Sequence, residues 1–175
     1  MTGPVFADAN FLLYVRDSRD PEKQARASAW HEHLWHADLG RTSMQVLSEY
    51  YVNLKRMAAS RMTPDQAWVH TQAYLAWRPQ AIDEDVIRNA RPIEQRYRIS
   101  WWDSLIVAAA QLQQCALLLT EDLQDGMKFG SVTVRSPFTL EVREAAANYA
   151  VAYAETRRTA SPHRPRGRPR RVALA

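Results

Sequence analysis

One acidic residue inside the first apolar run limits what this chain can become. The segment VFADANFLLYV, Val5 to Val15, is apolar at nine of its eleven positions, and the exceptions are Asp8 and Asn10. An ionised aspartate buried without partners costs several kcal/mol, so a fold that buries this run must bring donors or a cation to Asp8. The stretch PVFADA reads as a short buried strand behind a proline, with Asp8 just past its carboxyl end. Asn10 then either orients Asp8 through a hydrogen bond or caps a helix over FLLYVRD.

The rest of the chain alternates between helical and strand patterns. An amphipathic helix is expected from Glu22 to His36. GRTSMQVLSEYYVNLKRM opens with Thr42-x-x-Gln45, a capping-box pattern, and continues as a helix with Met44, Leu47, Tyr51 and Leu54 on its apolar side. TPDQAWVHTQAYLAW starts another helix, with Thr63, then Pro64 at the first helical position, then Gln66. DEDVIRNARPIEQRYRIS is expected to be a helix kinked or interrupted at Pro92. SWWDSLIVAAAQLQQC opens with Ser100-x-x-Asp103 and has an apolar interior, so a buried helix is expected there. ALLLT follows as a central strand, EDLQDG as a turn, SVTVRS as a further strand and TLEVREAAANYAVAYAETRR as a last helix. Strands alternating with helices favour an α/β domain with a mostly parallel sheet. There is no internal repeat and no Gly-rich phosphate loop of either common type.

The chain holds one cysteine, Cys115. It can form neither an internal disulfide nor a Cys-based zinc site, so a reducing compartment and a small buried hydrophobe are expected. No run approaches the ~20 apolar residues that a membrane helix needs. MTGPVFADAN has neither a basic start nor a cleavage-site pattern, so the expectation is a cytoplasmic protein without membrane contact. The net charge of +4 is unevenly spread. Residues 156–175 carry seven arginines and no acid, which leaves residues 1–155 with a net charge of −3.

Four acids stand out by position. Asp8 follows the first strand and Asp122 follows ALLLT, and sites in open parallel sheets gather beyond the carboxyl ends of the strands. Asp103 lies in the first turn of its helix. Glu49 falls about 60° from Val46 at 100° per residue, beside the apolar stripe, from where it can reach inward. Each has a plainer alternative. Asp103 is also the third residue of a capping box, Asp122 and Asp125 are also turn residues, and Glu49 is also an ordinary solvated helix residue. If the four converge, each pair ~4 Å apart repels by about 4 kcal/mol at an effective dielectric near 20. Protons or cations must then neutralise them, and an all-oxygen donor set favours Mg²⁺ or Mn²⁺. On this basis Asp8 is expected to be held by a metal.

VFADANFLLYV, SEY around Glu49, ISWWDSLIVAAA around Asp103 and LLLTEDLQDG around Asp122 resemble, in order and approximate spacing, the segments of PIN-domain ribonucleases. The resemblance is greatest to the VapC-type toxins of bacterial toxin–antitoxin pairs, and it runs from about Val5 to Phe138. It implies a three-layer α/β/α sandwich with a central, mostly parallel sheet, and Mg²⁺- or Mn²⁺-dependent endoribonuclease activity. It implies that Asp8, Glu49, Asp103 and Asp122 form the metal pocket, with Asp8 and Asp103 its most dependable ligands. Asp125 would substitute for or assist Asp122, with Glu121 a weaker contender. The implied partners are RNA, a small antitoxin protein that wraps the toxin and blocks the pocket, and a second copy in a homodimer. Residues 1–138 are then the PIN-like domain, 139–158 an added C-terminal helix, and 159–175 a disordered Arg/Pro-rich tail.

RPRGRPRR, Arg164 to Arg171, resembles the AT-hook, whose arginines lie in the narrow minor groove of A·T-rich DNA. The first reading of the tail is a solvated basic segment that raises non-specific affinity for nucleic acid. With all seven arginines on phosphates the salt slope reaches about −6. The second is a DNA contact, and with it an alternative function: a nucleic-acid-binding regulator acting through the tail. A phosphatase with an Asp nucleophile is disfavoured, because haloacid-dehalogenase-like enzymes want a second Asp where this chain has Asn10. Trp101 and Trp102 precede Asp103. Both are expected to pack as core residues at the helix start, with base stacking by one of them as the alternative.

Overall fold

The structure is a computed structural model and describes residues 3–57 and 62–145. Five strands form one sheet: β1 (Val5–Ala7), β2 (Gly40–Arg41), β3 (Leu117–Leu119), β4 (Lys128–Phe129) and β5 (Val132–Arg135). Their order is β2-β1-β3-β5-β4. The β1–β2, β1–β3 and β3–β5 pairs are parallel, and β4 closes the far edge antiparallel to β5. Every residue of β1 and β3 is buried. That is the signature of parallel strands covered by helices on both faces, and it explains why these runs are continuously apolar rather than alternating. The fold is the mostly parallel α/β arrangement that the sequence predicts.

The helices are α1 (Ala9–Tyr14), α2 (Pro21–His36), α3 (Met44–Arg56), α4 (Pro64–Ala73), α5 (Glu84–Tyr97) and α6 (Trp101–Leu112), with a 3₁₀ turn at Tyr74–Trp77 after α4. The Thr63–Gln66 capping box forms as expected. Two expectations need correction. First, α3 is capped by Ser43, whose Oγ accepts from the Val46 amide at 3.3 Å. Thr42 is turned inward instead and donates to the Ala7 carbonyl at 3.2 Å. The buried stripe of α3 is therefore Val46, Leu47, Tyr50 and Leu54, while Met44 is exposed and Tyr51 only partly covered. Second, α5 runs through Pro92. Pro92 and Arg88 are exposed while Val86, Ala90 and Ile93 are buried, so the Arg88 carbonyl that loses its usual donor lies on the solvent side of the helix. β2 and β4, which the sequence did not announce, have only two residues each and leave no periodic pattern to read.

Two glycines have definite jobs. A Cβ on Gly40 would collide with two ring atoms of Trp77, so any side chain there forces the indole or β2 to shift. Gly130, at φ +60°, turns the two-residue link between β4 and β5. Cys115 is buried, and burial pushes its thiol well above the usual range. Beyond β5 the chain returns to α2: the Trp30 indole donates to the Leu140 carbonyl at 2.9 Å, and Leu140 is buried. Residues 142–145 are helical. The remainder of the expected last helix to residue 158 and the AT-hook-like stretch Arg164–Arg171 lie outside the described residues.

Candidate active site

The parallel pairing of β1 with β3 sets Ala7 opposite Leu119, and the Asp8 amide continues the ladder to the Leu119 carbonyl at 3.2 Å. The next residues on both strands are therefore side by side at one rim. Asp8 is the N-cap of α1: its Oδ1 accepts from the Ala9 amide at 2.6 Å. Its Oδ2 accepts from the Thr120 hydroxyl at 2.8 Å. Only 3% of Asp8 is exposed, and burial pushes its carboxyl up to about 6. The two donors pull that value down, while the charges of Asp122 and Glu49 push it further up.

Thr120 was not singled out in the sequence. It accepts from the Asp122 amide at 3.0 Å while donating to Asp8, so one hydroxyl fixes both acids. The available signal was its place as the lone polar residue closing an apolar strand. Asn10 neither orients Asp8 nor caps the helix. Because α1 begins at Ala9, Asp8 takes the cap, and Asn10 in the first turn donates to Asp122 Oδ2 at 2.7 Å.

Asp103 sits in the first turn of α6. Its amide donates to Ser100 Oγ at 3.1 Å, and the Ser100 hydroxyl donates back to Asp103 Oδ2 at 2.7 Å. It is thus part of a cap, and its charge also raises the Asp122 carboxyl, after burial and ahead of Glu121. Glu49 is exposed at the edge of this group. The Gln45 amide holds it, donating to Glu49 Oε1 at 3.2 Å and to the Trp102 carbonyl at 3.3 Å. Gln45, read in sequence as a capping partner of Thr42, is instead a buried bridge from α3 to α6.

The remaining two acids are engaged by other groups of the chain. Lys23 Nζ contacts Glu121 at 2.9 Å and lies over the Tyr14 and Phe138 rings. Asp125 Oδ1 accepts from the Ser136 amide at 2.7 Å and Arg135 Nε at 3.1 Å. The structure therefore links Asp8, Asp122, Asp103 and Glu49 to one another through charge, and commits Asp125 and Glu121 to cations.

Carboxylates whose protons are retained by burial and mutual repulsion are what a hard divalent cation relieves, and the donor set here is all oxygen. The chemistry fits Mg²⁺ or Mn²⁺. Among the described residues, however, no group of three His, Cys, Asp or Glu is gathered closely enough to hold an ion ready-made. In this structure the Asp8 carboxylate accepts from the Thr120 hydroxyl and the Ala9 amide.

A parallel sheet with carboxylates at the ends of two adjacent central strands, and a third on the helix that packs beside them, defines an α/β protein with an acidic rim. The chain belongs to the PIN domain family, whose model matches residues 5–124. A search of curated proteins gives no match. Among solved structures it is similar to one described as a toxin–antitoxin complex from Klebsiella pneumoniae, at 20% identity and a TM-score of 0.55, covering 80% of this chain and 100% of that one. It is also similar to VapC20 of Mycobacterium tuberculosis, a sarcin–ricin loop cleaving toxin, at 19% identity and a TM-score of 0.50, covering 65% of this chain and 86% of that one. These similarities speak for the fold. Among the described residues no helix is long and apolar enough to cross a membrane.

Proposed function

We propose that this protein is a Mg²⁺- or Mn²⁺-dependent endoribonuclease and serves as the toxin of a toxin–antitoxin pair. The observation that carries the proposal is Asp8, a buried carboxylate at the rim of a parallel sheet, tied through Thr120 to a second carboxylate. Such an arrangement lowers stability and is retained where function needs it. Asp8, Asp103 and Asp122 would hold the ion, with Glu49 at the edge and Asp125 in reserve. A divalent ion bound there supplies an activated water and neutralises charge on the phosphodiester.

The chain's own part is to hold these acids still. Thr120 and Ala9 fix Asp8, Asn10 fixes Asp122, Ser100 fixes Asp103, and Gln45 steadies Glu49 against α6. The fold neighbours support RNA as the substrate and a small antitoxin as the partner. A homodimer in the cytoplasm completes the proposal.

The test is direct. Purified full chain with Mg²⁺ or Mn²⁺ should cut structured RNA, and EDTA should stop it. Asp8→Asn and Asp103→Asn should each abolish cleavage while circular dichroism stays native. Cleavage by Asp8→Asn at the wild-type rate would sink the metal role. The sequence RPRGRPRR favours a second reading, a regulator that binds nucleic acid through its tail. Deleting residues 159–175 separates the two, because only a regulator loses its activity altogether.

A further inference from the structure

Trp102 projects from the first turn of α6 and is 61% exposed, the most exposed large apolar side chain among the described residues. The sequence led us to expect it in the core, and only Trp101 packs there. A single exposed apolar side chain needs no explanation in itself. Three features of its setting set this one apart.

It immediately precedes Asp103. Its backbone carbonyl accepts from Gln45, the same buried amide that holds Glu49, so the root of the indole is fixed relative to the acids. Among the described residues no aromatic ring meets it, whereas the exposed Trp35 and Trp68 pack against Trp77 and Tyr51. The Trp-Trp pair thus divides into an anchor and an outward plate, and the backbone that carries the plate is flanked by Asp103 in sequence and tied by Gln45 to Glu49. An isolated flat apolar face in a polar rim suits a nucleobase better than the contiguous apolar patch that a protein partner takes.

We propose that Trp102 is a substrate-contact residue that stacks on an unpaired base of the RNA close to the scissile phosphate. This rests on the nuclease reading of the site and deepens it: the substrate is RNA with a nucleotide out of its helix, since a base inside a duplex has both faces covered. Every base offers a π-face, so the contact confers affinity with little sequence preference.

The test uses the full chain, tail included in every arm. In the Asp8→Asn background, binding is measured to a short fluorescein-labelled single-stranded RNA of mixed sequence and to the same strand annealed to its complement, with probe integrity checked on a gel. Trp102→Ala should weaken binding to the single strand by about 5- to 150-fold, and the duplex much less. Trp102→Phe should restore most of the loss, and the melting temperature of each variant should stay near that of the parent. Equal single-strand affinity for Trp102→Ala and its parent would overturn the inference, including the case in which Trp102 instead serves a protein partner. Equal losses on single strand and duplex would overturn it too. Should wild type cleave RNA while Trp102→Ala binds normally, the stacking role alone falls. Should wild type neither bind nor cleave, the nuclease reading falls and takes the stacking role with it.

Discussion

At Asp8, two donors favour the charged carboxylate while burial and two like charges oppose it, and burial dominates. The carboxyl titrates near 6 in the folded protein against an ordinary value of 3.8, so between those values the folded state binds a proton that the unfolded state has released. Stability of the metal-free protein therefore rises as pH falls through about 6, and this contribution is complete below about 4. Asp8→Asn should accordingly be more stable than wild type at pH 7 in EDTA by about 3 kcal/mol, since each tenfold change in proton affinity is worth about 1.4 kcal/mol. The gap should close near pH 4, as read from urea unfolding across the series. A variant less stable than wild type at pH 7 would show that the charge is well tolerated. Thr120→Val removes one donor from Asp8 and the acceptor of the Asp122 amide. It should cost about 1–3 kcal/mol at neutral pH and move the Asp8 titration higher still, as followed by denaturant melts. Asp8 was legible because a carboxylate in an apolar run demands partners. Thr120 and Gln45 were not, because a Thr at a strand end and a Gln after a Thr each have a common local meaning that hides the distant one.

Among the elements, the long ones could be read from their own periods and end signals, and the two-residue strands could not. β2 depends on Trp77, which lies more than thirty residues later in the sequence and packs over Gly40. Gly40→Ala should therefore cost about 1–3 kcal/mol by forcing the indole or the strand to move, seen as a lower melting temperature with unchanged helix content. An unchanged melting temperature would mean that the ring has room to retreat. Pro92 misled in the other direction: proline ends a helix when its missing donor is buried, and on the wet face of α5 it does not. The choice of Ser43 over Thr42 as the α3 cap turned on Thr42 finding a better partner in the Ala7 carbonyl, a contact invisible from local sequence.

For the whole molecule, alternation of strands and helices was enough to predict a mostly parallel sheet, but not its order, which depends on contacts between segments far apart in the chain. If the acids bind a divalent ion, Mg²⁺ should raise the wild-type melting temperature in a concentration-dependent way, since a ligand that binds only the folded state stabilises it by mass action. Asp8→Asn and Asp103→Asn should lose that response. Deleting residues 159–175 removes five arginines and should make the salt dependence of nucleic-acid binding shallower by up to about 4 in slope, while the cleaved positions stay the same. The hydrogen bond from Asn10 to Asp122 spans 112 residues, as does the one from Thr120 to Asp8. A nascent chain whose residue 122 is still inside the ribosome therefore carries the early acids without their late companions. Under the proposed function, the cell that makes this protein meets its destructive power only after the late strand and its acid have emerged.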